Sequence, residues 1–349
     1  MSGLATTGQS MAGQAYVQPF AAWRVLLGTV DLTTKLAPRL SSLTLTEARG
    51  EEADSLELVL HDTDGALALP PAGAVLHVAL GWQRGTGVAV GLVDKGSYIV
   101  QDVEWQGGEP DLVTIRARSA DLRTTLQNRR NRMFTGQTIG AIVTQVARDN
   151  ALTPRCHPDL ANTVVGSIEQ ANTSDITFLR DLARRYDAAA TVKAGCLLFT
   201  PIGAATTATG AKLPTLKLAR RDCASPHYSR AARENTQDGA EAQYHDPHKG
   251  RRITVGHGGH HRRRMKRVYA TADDAKAAAK GEHARITRAE ARLSLILPYG
   301  RAAIGPGVRI AASGFKTEID AHAWLVTSVR HEIMPGGGFS TTIEMEVTG

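Results

Sequence analysis

The chain has 349 residues, 42% of them hydrophobic and 21% charged, which suits two or three domains and buries roughly 75% of the unfolded surface without staples. Its net charge of +7, from 41 basic and 34 acidic residues, permits transient contact with nucleic acid or an acidic surface and says nothing about fold. Cys156, Cys196 and Cys223 are an odd set without CxxC spacing, which argues against a disulfide framework and a thiolate zinc site and predicts buried free thiols in a reducing compartment.

Residues 1–18 are rich in Gly, Ser, Thr and Gln and lack a basic stretch followed by an apolar one. They do not read as a signal peptide, no run reaches the roughly 18 apolar residues of a membrane span, and the first ~15 residues are expected to be mobile. Strands are predicted over 22–28 (AWRVLLG), 40–47 (LSSLTLTE) and 55–60 (SLELVL), with a turn at Asp62-Thr63-Asp64-Gly65. Further strands over 74–82, 88–94, 98–105 and 112–118 make about seven in one stretch, the spacing of a barrel or sandwich.

The period then changes. Ile139, Ile142, Val143 and Val146 predict a helix over 138–149, stopped at Asn150. Ile176, Leu179, Leu182, Ala183 and Tyr186 predict another over 175–186, with Ser174 capping its first turn and Asp175 complementing its dipole. With a short strand over 196–199, this is an α+β segment between two β regions.

From Leu216 the strands return. Segments 227–234 and 240–244 flank the hairpin signal Gln237-Asp238-Gly239, and 252–255 adds a third strand. A basic loop follows at 256–267, then a helix over 271–288 with Thr271 and Asp274 at capping spacing. Ala291, Leu293, Leu295 and Leu297 alternate as a strand.

The chain also repeats itself. GSYIVQDVEWQGGEPDLVTIRA at 96–117 matches HAWLVTSVRHEIMPGGGFSTTIEMEV at 322–347, with Tyr98, Val100, Val103 and Trp105 falling on Trp324, Val326, Val329 and His331. After a Gly-containing turn, 112–116 falls on 339–343. Upstream, 73–82 and 307–315 are strands that both end in Gly-aromatic. Two copies of one strand order predict two similar antiparallel β-barrels or sandwiches.

A search for chemistry is nearly empty. No GxSxG, GxxxxGK[ST] or HExxH occurs, since His331-Glu332 runs into Met334-Pro335. Gly85-Thr86-Gly87-Val88-Ala89-Val90-Gly91 precedes alternating apolar residues rather than a helix, so it reads as a hairpin turn. Asp62 and Asp64 have a turn explanation, and Asp273 and Asp274 a helix-start one. Six of the twelve histidines lie between His227 and His261, including His257, His260 and His261, but their Gly- and Arg-rich setting disfavours a cation. The basic clusters Arg129, Arg130, Arg132 and Arg262, Arg263, Arg264, Lys266, Arg267, with Arg251 and Arg252, lack interleaved aromatics and a recognition helix. They read as solvated or protein-contacting, and no catalytic, cofactor or metal residues are assigned.

Several stretches together resemble the phage late control D family of contractile-tail hubs. They are 96–105 (GSYIVQDVEW), 119–122 (SADL), 129–134, 138–143 (TIGAIV), Gln170 with 174–183 (SDITFLRDLA), Tyr269 with the Ala-rich helix, Gly307 and the strands over 326–347. The family is similar to the hub portion of type VI secretion spike proteins. The resemblance implies a mainly β fold with an α+β insert, two similar antiparallel β-barrel domains per chain, and a trimer forming a pseudo-six-fold ring. The expected division is a tail at 1–19, a first barrel at 20–125, the insert at 126–205, and a second barrel at 206–349 interrupted by the 256–267 loop and the 271–288 helix.

By the same resemblance the partners are two further copies of the chain, a separate trimeric spike, and the tail tube or its initiator, with tape measure and baseplate wedge proteins as further candidates. No membrane or stable nucleic-acid contact is implied. The chain ends at Val347-Thr348-Gly349 without needle repeats, so the spike is expected as another polypeptide. The location implied is the tail baseplate of a phage or headless bacteriocin, assembled in the host cytoplasm. Two alternatives are a nucleic-acid-binding late-gene regulator and a tail-tip cell-wall hydrolase.

Overall fold

A computed structural model describes residues 16–348 except 51–52, 121–123, 194, 205 and 231–236. The expected mobile N-terminus and the 231–234 part of the strand expected from His227 lie outside the described residues. The first β region holds β1 (Phe20–Leu27), β2 (Val30–Asp31), the short helix α1 (Thr33–Leu36), β3 (Leu40–Ala48), β4 (Ser55–His61), β5 (Val75–Arg84), β6 (Gly91–Gln106) and β7 (Leu112–Ser119). The middle segment holds β8 (Arg129–Thr138), α2 (Ile139–Asp149), β9 (Thr153–Cys156), α3 (Pro158–Ala161), β10 (Val164–Ser174), α4 (Asp175–Arg185), β11 (Ala188–Lys193) and β12 (Cys196–Pro201). The last region holds β13 (Leu216–Ala219), β14 (Ala224–Arg230), β15 (Gly239–Asp246), β16 (Arg251–Gly258), β17 (Arg262–Tyr269), α5 (Ala272–Arg288), β18 (Ala291–Leu297), β19 (Arg309–Ser313), α6 (Thr317–Asp320), β20 (Ala323–Met334) and β21 (Gly338–Val347).

One strand order occurs twice in the large sheet. It reads β3-β4-β7-β6-β5-β1 in the first region and β14-β18-β21-β20-β19-β13 in the second. The single difference of direction is that β13 runs parallel to β19, whereas β1 runs antiparallel to β5. In β4, Leu56, Leu58 and Leu60 alternate into the core, and in β18 Leu293, Leu295 and Leu297 do the same. Each such side chain contributes roughly 1.5–3 kcal/mol by leaving water. The two regions join where the second half of β20 pairs with β3, from Ser328 opposite Ala48 to Ile333 opposite Leu43.

The hairpins β6–β7 and β20–β21 match residue for residue. Val100 opposes Ala117 and Val326 opposes Met345, and each ladder shifts register just after that pair. Trp105 opposes Val113, and His331 opposes Thr341. Leu112 is therefore equivalent to Ser340, one residue on from the alignment expected from sequence, because the second ladder runs on past this pair, through Ile333 opposite Phe339 and Met334 opposite Gly338, before it turns. The slip matters, since moving a strand by one residue exchanges its faces.

Three further expectations are corrected. Segments 88–94 and 98–105 are not two strands but one, β6, in which Gly96 at φ +88° marks an irregularity beside the shift between Val78 and Ala79. The strand from His227 forms no hairpin across 237–239: β14 pairs with β18, and β15 pairs with β16 and β17 in a separate sheet. The basic 256–267 segment is not one loop, because it contains the end of β16 and most of the charged strand β17.

The helices follow their signals closely. Thr138 accepts from the Ala141 N–H, Ser174 from Thr177 and Thr271 from Asp274. α5 buries Ala275, Ala278 and Ala279 against Ala242 and Tyr269, so small side chains let the helix sit close on the β15–β17 sheet. At Gly281 even a Cβ would lie 2.9 Å from the Arg185 carbonyl oxygen, which fixes the approach of α5 to the end of α4.

Candidate functional site

Two groups of interior charges lie at seams between the β regions and the middle segment. Glu47 on β3 lies 2.5 Å from Lys95 on β6, 3.3 Å from Lys193 on β11 and 3.5 Å from the His331 ring on β20. The other His331 nitrogen is 2.9 Å from the Thr341 hydroxyl. Burial would push the Glu47 carboxyl up, but the His331 ring and the Lys95 and Lys193 charges outweigh it and hold it at about 2. Burial lowers both Lys95 and His331 against the opposing pull of Glu47. Asp54 goes the other way: burial, then the Glu47 charge, push it up to about 6 despite the Ala48 N–H it accepts.

A second seam centres on Arg288 at the end of α5. It makes a forked contact with Asp187 and reaches Glu346 on β21 at 3.0 Å, while Arg49 meets the same Glu346 oxygen at 2.6 Å. Asp274 at the start of α5 accepts from the Gly166 N–H at 3.2 Å and the Tyr186 hydroxyl at 3.1 Å. Both ends of α5 are thus fastened to the middle segment. A cleft of about 290 Å³ is lined by the charged Arg49, Asp54 and Lys193 set among apolar side chains such as Ile176, Val192 and Leu325.

The residues singled out from sequence mostly resolve into such fastenings. Arg130 and Arg132 turn to the fully buried Asp175, which also accepts from Gln170 and Asn150, and Arg132 reaches Asp149. Arg263 is tied to Glu282 at 3.0 Å and Arg264 to Glu241 at 2.6 Å. Arg262 donates to the Gly259 carbonyl. Asp64 is forked by Arg39, while Asp62 accepts from the Leu67 N–H across its turn. Residues 85–90 join β5 to β6, and Gly81 lies so near the hairpin's other strand that a Cβ would sit 1.8 Å from the Gly91 oxygen.

The histidines between 227 and 261 are not brought together. His227 lies on β14 in the large sheet, while His257 on β16 meets His283 edge-on at 5.2 Å between ring centres. Among the described residues no three His, Cys, Asp or Glu side chains are grouped to hold a metal ion. The cysteines are free thiols, but only Cys223 is buried; Cys156 and Cys196 are half-buried, and burial pushes Cys156 up to about 11.

Two outer edges were not singled out from sequence. Trp105 on β6 is 54% exposed although its counterpart His331 is 0% exposed, and β14 presents an exposed edge where its counterpart β3 is covered. The signal available in the sequence was the unlike pair, Trp105 against His331, at matching positions of the repeat.

Comparisons with known proteins supply the family. The family model described as "Phage tail baseplate hub (GPD)" matches residues 51–336. Two curated proteins named "Probable baseplate hub protein", from Escherichia phages 186 and P2, are each 34% identical; they cover 98% and 93% of this chain and 96% and 92% of their own. The chain belongs to the phage tail baseplate hub family. That family is structural, and the chain is a hub component rather than an enzyme. Among solved structures, a tail protein from Neisseria meningitidis MC58 superposes with TM-score 0.66 at 12% identity, over 94% of this chain and 96% of that one. An Escherichia coli component of the type VI secretion system, itself described as similar to T4 tail proteins gp27 and gp5, superposes with TM-score 0.56 at 12% identity, over 89% of this chain and 74% of that one.

Proposed function

We propose that this hub works as a trimer, adapting a six-fold tail tube to a three-fold central spike. The observation that carries this is the strand order repeated within one polypeptide. Three copies then present six quasi-equivalent β units around one axis, and a heterologous contact between copies closes the ring. In this reading the two β units are the barrel domains at 20–125 and 206–349, the segment at 126–205 is the insert, and α5 braces the insert against the second unit. The work is assembly and transmission of force rather than turnover.

The spike partner is supported by the likeness to a Francisella PdpA–VgrG complex chain, which superposes with TM-score 0.52 at 8% identity over 96% of this chain and 59% of that one. The tube or its initiator is the partner on the six-fold side, with tape measure and wedge proteins as neighbours in the same baseplate. Assembly would take place in the host cytoplasm before the particle is complete. Light scattering of the purified chain tests the core of this: a trimer mass at micromolar concentration is expected, and a monomer that persists when the spike is added would overturn it.

A further inference from the structure

Within the chain, the second half of β20 is covered by β3, with Thr44, Leu45, Thr46 and Glu47 opposite Glu332, His331, Arg330 and Val329. The repeat supplies the same two surfaces again without joining them. The second half of β6 is the counterpart of that half of β20, and beyond Val100, whose backbone bonds to Gly73 and Ala74, it has no ladder on its β5 side among the described residues. β14 is the counterpart of β3, because Tyr228 opposes Leu293 as Leu45 opposes Leu56. It pairs only with β18 among the described residues. Two open edges of one sheet, one of them carrying an exposed Trp, invite pairing.

We propose that the free half of β6 pairs antiparallel with β14 of a second copy of this chain, repeating between copies the junction that β20 and β3 make within one. This rests on the trimeric hub reading and gives it a register. Transferring the β20–β3 pairs through the repeat sets Val103 opposite Arg230 of the second copy, Glu104 opposite Ser229, Trp105 opposite Tyr228 and Gln106 opposite His227. Trp105 and Tyr228 then share a face, the aromatic pair replacing the His331–Leu45 pair of the internal junction. Pro226, which lacks an N–H, falls at the irregularity between Ala224 and His227, outside these four pairs. Three internal and three external junctions make one continuous sheet around the ring, leaving neither edge open.

The test is disulfide trapping in the full-length chain. E104C/S229C, oxidised after purification, is expected to give covalent dimers and trimers on a non-reducing gel, while each single variant stays at the background of the native cysteines. E104C/Y228C is one residue out of register, its side chains point to opposite faces, and it is expected to trap little. Separately, Trp105→Glu is expected to lose the trimer peak in light scattering while keeping the circular dichroism of the native chain. A native chain that is trimeric yet shows no trapping in register, or equal trapping by both pairs, overturns the edge pairing and leaves the hub reading standing. A native chain that stays monomeric with the spike added overturns both.

Discussion

Val100 and Val326 hold the same three-cornered set of backbone bonds in the two halves of the chain. The Val100 carbonyl accepts from Gly73 at 2.8 Å and its N–H donates to Ala74 at 2.8 Å; Val326 accepts from Gly307 at 2.9 Å and donates to Val308 at 3.0 Å. Gly73 and Gly307 lie at φ +85° and +84°, and a methyl group added at either would meet nothing within 4 Å. The matching extends beyond the strands' side chains to the backbone that launches each hairpin.

Gly73→Ala and Gly307→Ala should therefore destabilise for the same reason and to a similar extent. Space is free at both, so the cost is the left-handed conformation alone, about 1–2 kcal/mol. Urea unfolding of each variant measures it; a clearly unequal pair would mean that the two turns carry different loads.

Glu47 is held by charges from three parts of the chain, so removing one partner should cost more than removing both. Glu47→Leu leaves Lys95 buried without its carboxylate and should destabilise by about 3–5 kcal/mol. The double variant E47L/K95M should recover a large part of that loss. A double-mutant cycle in denaturant checks the coupling, and simple additivity would contradict it.

The two neighbouring carboxyls should respond to pH in opposite senses. Glu47, held at about 2 in the fold, adds stability that is present above its unfolded value and is lost as pH falls through about 2. Asp54, raised to about 6 from an ordinary 3.8, adds stability that is present below 3.8 and lost as pH rises through about 6. Asp54→Asn should thus stabilise the chain at pH 8 by about 3 kcal/mol and do little at pH 4. Thermal melts at the two pH values decide it.

Gly281→Val should loosen α5 from the insert rather than unfold the whole chain. The added side chain meets the Arg185 carbonyl and the Asp187 N–H, where overpacking costs about 1–3 kcal/mol. Limited proteolysis should show cleavage near α5 increasing before cleavage elsewhere.

Much of the fold was legible in local chemistry. Ser174 and Thr271 announced two helices through their caps, the spacing of Ile139, Ile142, Val143 and Val146 announced a third, and the Leu56-Leu58-Leu60 and Leu293-Leu295-Leu297 alternations announced two core strands. What stayed hidden was set by distant partners. The Gln237-Asp238-Gly239 signal is a sound turn signal, yet β14 leaves for β18, which lies beyond a 17-residue helix in the chain. β17 reads as a charged loop because Arg263 and Arg264 are satisfied by Glu282 and Glu241, which no short window shows. Gly96 read as a break because a glycine within a long strand and a glycine between two strands look alike. The seam around Glu47 was invisible for a related reason: its four members come from β3, β6, β11 and β20.

The most direct measurement is an electron-microscopy view of the purified hub down its axis. The account predicts a closed three-fold ring whose rim shows six similar lobes, alternating between the two β units of each chain. A monomer, or a closed ring whose rim shows three lobes and no six-fold component, would contradict it.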